Sequence, residues 1–124
     1  MDVSQFREIP VLDEDQWLIL LGAGDDDPRA LLDELLALFQ EDVEERLHPL
    51  TEADPVRDRE QIRQHAHSIA GSGSNLAARR LAAIARAIEA AEGYTPEEFS
   101  TVVKELLDTY AESVRVLQVR VNRI

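Results

Sequence analysis

"DPRALLDELLALFQEDVEERLHPL", Asp27–Leu50, decides the class of this fold. Leu32, Leu35, Leu36, Phe39, Val43, Leu47 and Leu50 recur mostly at steps of three and four, the period of a long amphipathic α-helix. Asp27 stands where an N-cap accepts from free backbone N–H groups, and Pro28 takes the first helical position, where its missing N–H is no loss. Upstream, Leu12–Leu21 is a short apolar-rich stretch that forms a first helix, closed by Gly22 and Gly24. Downstream, "ADPV" (Ala53–Val56) repeats the Asp-Pro start and opens a third helix through "DREQIRQHAHSIAGSGSNL". Leu81, Ile84, Ile88 and Ala91 mark a fourth, ended by Gly93. "TPEE" (Thr95–Glu98) is a capping box, and Phe99, Val103, Leu106, Tyr110, Val114, Leu117, Val121 and Ile124 carry the last helix to the C-terminus. No strand alternation interrupts this pattern. The expected fold is all-α, an antiparallel four-helix bundle with a short additional N-terminal helix. It forms a single domain over residues 1–124, with residues 1–10 a loosely ordered segment.

The 124 residues are 44% apolar, enough for a proper core. A net charge of −12 argues against nucleic acid, which needs a basic face. The absence of cysteine excludes disulfides and thiolate metal sites. "MDVSQFREIPVLDEDQ" at the N-terminus is acidic and no secretory signal, and "WLILL" is far too short to cross a bilayer. The expectation is a soluble, cytoplasmic monomer without membrane contacts. The charge is uneven, however. Val56–Ile88 holds six arginines against Asp58 and Glu60, a local +4, while the remainder carries −16. This segment is either a solvated helix face or a small basic docking patch for an acidic partner.

"HAHSIAGSGSN", His65–Asn75, places two histidines just before two glycines inside a helix. Ile62, Ala66, Ile69, Gly73 and Leu76 form one stripe that must face the core. At about 100° per residue, His65 lies roughly 60° from the stripe's centre and His67 roughly 140° from it. His65 therefore flanks the core and His67 points outward. Arg63 and Gln64 share the His67 face on one side, and Ala70, Gly71 and Ser74 on the other. Gly73 falls on the core stripe, where another helix can approach closely. Gly71 falls beside His67, where a partner or a transferred group can approach. The two glycines cost on the order of 2 kcal/mol of helix propensity relative to alanine. Histidines at i and i+2 point about 200° apart and cannot grip one ion, so no metal site is expected here.

This stretch resembles the signature of histidine-containing phosphotransfer (HPt) domains: Ala-His-x-Leu-Lys-Gly, small residues, Asn-Leu-Gly-Ala, x-x-Leu and later Leu-Glu. It stands here without gaps as "AHSIAGSGSNLAARRLAAIARAIE", Ala66–Glu89. The resemblance implies that His67 is the phosphoacceptor and Gly71 the small residue that admits the partner, with no role for His65. The lysine of the pattern, three residues after the histidine, is Ala70 here. Arg63, one turn before His67, is the best-placed substitute cation, with Arg79 or Arg80 approaching from the next helix.

An exposed imidazole is ordinarily mostly neutral and nucleophilic at pH 7. The resemblance implies that it attacks the aspartyl phosphate of a response-regulator receiver domain and later passes the phosphoryl group to a second receiver. Phosphoryl transfer is mostly positioning and charge neutralisation, so the carrier needs no cofactor of its own. The receiver is expected to bring an acidic pocket and Mg²⁺. A hybrid histidine kinase is a further expected partner. Whether such a carrier counts as an enzyme is a matter of definition; it is not an ATP-dependent kinase. The competing reading is a non-catalytic adaptor that binds a receiver or kinase without carrying phosphate, because Ala70 replaces the lysine.

Overall fold

Residues 2–124 are described in a computed structural model, and among them there is no β-strand. A 3-10 turn at Ser4–Glu8 precedes five helices: α1 (Glu14–Ala23), α2 (Pro28–Glu52), α3 (Arg59–Asn75), α4 (Arg79–Ala90) and α5 (Pro96–Asn122). Each of α2 to α5 packs on the next, and α5 closes the ring against α2. The short links make sequential neighbours antiparallel, and α1 lies against α2 as a cap on one end of the bundle.

Side-chain caps start three of these helices, α2 and α5 at the residues expected. Asp13 accepts from the Gln16 N–H at 3.1 Å, and Asp27 from the Ala30 N–H at 3.1 Å. In the capping box Thr95 accepts from the Glu98 N–H at 3.1 Å, while the Glu98 carboxylate accepts from the Thr95 N–H at 3.0 Å. Each such cap stabilises its helix by about 1 kcal/mol. Leu32, Val43 and Leu50 of α2, Ile69 of α3, Leu81 and Ile84 of α4, and Leu106 and Leu117 of α5 are fully buried. Burying each stabilises the bundle by about 1.5–3 kcal/mol. On α5 the buried seam runs through Val102, Leu106, Thr109, Ser113 and Leu117, and leaves Tyr110 and Val114 half-buried beside it. Ser113 is tolerated at full burial because its hydroxyl donates to the Thr109 carbonyl at 2.7 Å.

The structure corrects the sequence reading in three places. First, Asp54-Pro55 does not open α3. Asp54 caps a separate turn, accepting from the N–H groups of Val56 and Arg57, and the helix begins at Arg59. Second, Gly22 does not close α1 but lies inside it; the stop is Gly24. A Cβ at Gly24 would fall 2.4 Å from the Pro28 Cα, so only glycine allows so tight a link to α2. Third, the segment expected to be loose is docked. Phe6 is 6% exposed, Arg7 pairs with Glu105 at 3.2 Å, and Arg80 donates to the Ile9 carbonyl at 2.7 Å. Phe6 anchors the segment in the core, and the half-buried Val3 and Ile9 pack against it on either side. Met1 of that segment lies outside the described residues.

Candidate functional site

The α3 stripe of Ile62, Ala66, Ile69 and Gly73 is buried, which turns position 67 outward. The His67 side chain is 74% exposed. Its Nδ1 lies 2.7 Å from Oε1 of Glu89 on α4. An ionised carboxylate only accepts, so Nδ1–H is the donor and the neutral ring keeps its lone pair on Nε2. His65, two residues earlier, is half-buried, and its Nδ1 is enclosed without a partner. Burial holds its pKa below the ordinary histidine value, and the positive charge of Arg46 pushes the same way. The two histidines thus divide as the helical angles predict.

One turn before His67, Arg63 is paired with Glu60 at 2.5 Å, and Glu60 also accepts from Gln64 at 3.2 Å. That pairing raises the Arg63 pKa and lowers that of Glu60. One turn after His67, the space beside Gly71 is open: an added Cβ meets nothing within 4 Å. Gly73 differs. A Cβ there would touch the Ala78 carbonyl and the Ala82 N–H nitrogen at 3.4 Å, so α4 approaches to about the width of a methyl group. Ser74 is half-exposed. Its hydroxyl contacts the Arg86 guanidinium, and its carbonyl accepts from Gln16 of α1.

Three supporting assignments need correction. Ala70 is not on the open face; it is 4% exposed. It lies only about 40° round from Ala66, and the close approach of α4 covers it. Arg80 does not come near His67. It donates to the carbonyls of Ile9 and Arg7 and pairs with Glu112 at 3.6 Å. Arg79 is exposed but opens α4 ten residues before Glu89, about 15 Å away along the axis. Nor does the arginine-rich segment form a basic patch. Arg57, Arg63 and Arg80 have carboxylate partners, and the surface around His67 carries both signs.

On its other flank His67 borders a groove of about 390 Å³ between α2 and α3, with Asp42, Glu45 and Arg46 facing Ser68, Gly71 and Asn75. It runs on into a smaller apolar hollow of about 170 Å³ with Leu35, Leu38 and Phe39 along one wall. Among the described residues no group of three or more His, Asp or Glu is placed to hold a metal ion, and no helix is long and apolar enough to cross a membrane.

An exposed, oriented imidazole beside an open helical face is the geometry of a group carrier. Residues 34–115, more than half of the chain, match the family model of the Hpt domain. The chain belongs to the Hpt domain family. It is a histidine phosphotransfer protein of the phosphorelay type, built as a helical bundle. Its structure is similar to the crystal structure of histidine-containing phosphotransfer protein B (HptB) from Pseudomonas aeruginosa PAO1. The TM-score is 0.73 at 25% sequence identity, covering 93% of this chain and 97% of that one. No curated protein matches the chain.

In this Hpt domain, sequence reasoning missed Glu89, Arg86 and the α2 residues Asp42, Glu45 and Arg46. Glu89 did carry a signal, as the last residue of the Ala66–Glu89 register. Arg86 was visible only as one of six arginines in the basic segment. The α2 residues gave none, since which polar positions of α2 border α3 depends on the packing of the two helices.

Proposed function

We propose that His67 is the phosphoacceptor, carrying a phosphoryl group between the aspartates of receiver domains. The observation that carries this reading is the His67–Glu89 pair: Nδ1 is held at 2.7 Å while the ring stays open to solvent. Nε2 attacks the phosphorus of a receiver's aspartyl phosphate. The N–P bond forms, the P–O bond to the aspartyl group breaks, and the receiver leaves with its carboxylate. The ring becomes an imidazolium, and the Glu89 carboxylate stabilises the charge through Nδ1–H. A second receiver's carboxylate reverses the step. Gly71 leaves the approach to Nε2 open, and the groove beside His67 offers a docking surface. The receiver brings its own acidic pocket and Mg²⁺; a hybrid histidine kinase stands upstream. The chain acts as a monomer in the cytoplasm.

The test is incubation with a phosphorylated receiver, followed by assay for acid-labile, base-stable phosphate on this chain. Wild type and His65→Gln should be labelled and His67→Gln should not. Labelling of His67→Gln but not of His65→Gln would place the acceptor on the wrong histidine. A wild type that binds the receiver without taking phosphate would make this domain an adaptor.

A further inference from the structure

A phosphoryl group on His67 brings negative charge to a face that already holds Glu60 and Glu89. A cation must meet it. Position 70 supplies none, and Arg63 is already paired with Glu60. Arg46 borders the groove on the α2 side together with Asp42 and Glu45, carboxylates that repel an incoming phosphate.

We propose that Arg86 binds the phosphoryl oxygens on phosphorylated His67 and that Ser74 holds its guanidinium in the resting state. This rests on the reading of His67 as phosphoacceptor. The helix register carries it. α3 and α4 are antiparallel; His67 meets Glu89, and a Cβ at Gly73 lies 3.5 Å from the Ala82 Cβ. Three residues on from His67 and three back from Glu89, the same register sets Arg86 opposite Ala70. The cation that position 70 lacks is therefore supplied by the facing helix. Arg86 and Glu89, at i and i+3, share one edge of α4, so one holds the ring and the other is in place for its phosphate. Arg86 is exposed, and among the described residues it makes no ion pair; its recorded partner is the neutral Ser74 hydroxyl. Ser74 stands about 6 Å beyond Ala70 along the axis and His67 about 4.5 Å before it, so an arm that reaches the one spans the other. A guanidinium leaves a hydroxyl for a phosphate readily, since the second contact is charge-assisted and can be two-pronged.

The experiment measures phosphotransfer from a phosphorylated receiver for wild type, Arg86→Ala, Arg86→Lys and Arg46→Ala. Arg86→Ala should slow transfer roughly 10- to 100-fold, the loss of a charge-assisted contact. Arg86→Lys should recover part of the rate. Thermal unfolding of Arg86→Ala should stay at the wild-type value, because Arg86 is exposed, an outcome that a purely structural role for Arg86 does not produce. A second readout needs no receiver. Phosphoramidate, which transfers its phosphoryl group to the ring and releases ammonia, should move the Arg86 Nε–H resonance of the full chain and leave that of Arg63 near its place. Wild-type transfer by Arg86→Ala, with His67→Gln inactive, overturns the proposal and leaves the phosphoacceptor reading intact. Slowing by Arg46→Ala alone overturns it in favour of the α2 flank. A wild type that accepts phosphate from neither donor overturns both readings.

Discussion

The helix pair α2 and α5 and the helix pair α3 and α4 follow different rules. The first two are long, begin at side-chain caps with proline at the first position, and fill the core with Leu32, Val43, Leu50, Leu106 and Leu117. The second two have no side-chain cap at either N-terminus. Asp58, at the start of α3, turns its carboxylate to the Asp54 N–H and to Arg57 instead. α3 also tolerates two glycines in its last two turns, and its polar face carries His67. Local rules are kept in the capped pair and relaxed in the pair that carries His67 and Glu89. The consequence is that stability and phosphotransfer should separate by helix pair.

The largest separation should come from the scaffold. Leu106 is fully buried on α5, on the α5 seam rather than on the α3–α4 pair that carries His67. Leu106→Ala should lower unfolding stability by about 2–5 kcal/mol, the transfer and cavity cost of a core leucine. Below the new melting temperature the rate of phosphoryl acceptance should stay at the wild-type value. Urea titration and single-turnover labelling measure the two quantities on one sample. A core variant that slows transfer while still folded would show that the α5 seam positions His67, and the division by pairs would fail.

The reverse separation should come from Gly71. Its surroundings are open, so a leucine adds no clash in the free domain and removes roughly 0.8–1 kcal/mol of glycine penalty from the helix. Gly71→Leu should therefore be as stable as wild type or slightly more so. It should nevertheless bind a receiver about tenfold more weakly, because the added side chain stands where the partner must approach. Isothermal titration against a receiver and thermal unfolding check the two halves. Unchanged affinity would move the docking surface away from α3.

How far each pair was legible follows from the same contrast. The caps Asp27 and Thr95, the leucine stripe of α2 and the outward angle of His67 depend only on residues within a turn or two of each other, and each was readable. Burial of Ala70 was not, because it lies at the edge of the stripe and only the arrival of α4 covers it. Glu89 beside His67 and Arg86 beside Ser74 depend on the stagger of two helices, which no single-helix period contains. Arg80 was assigned to the site because it is charged and near the motif in sequence, yet it is held by main-chain carbonyls of the N-terminal segment.

The smallest effect expected lies within α3, between its two histidines. His65 is half-buried with its Nδ1 enclosed and without a partner, and Arg46 of α2 adds positive charge nearby. Its folded pKa is held below the ordinary value, so the unfolded chain binds a proton there more readily than the folded one. The sign follows directly. The stabilising difference is complete above the unfolded value of about 6.5 and is lost as pH falls from there through the folded pKa. Asp58, Glu52 and Gln61 border the same hollow, and the Asp54 N–H and Arg57 hold the Asp58 carboxyl below its usual range, so its negative charge softens the effect without reversing it. Stability of the wild type should thus decline between about pH 7 and pH 5.5, and His65→Gln should flatten that decline while its phosphoryl acceptance persists. The difference between the two unfolding curves isolates His65 from His48 and His67, which both proteins share. Parallel curves would mean that protonated His65 reaches water without disturbing the α2–α3 contact, and the two histidines of this helix would then differ in chemistry alone.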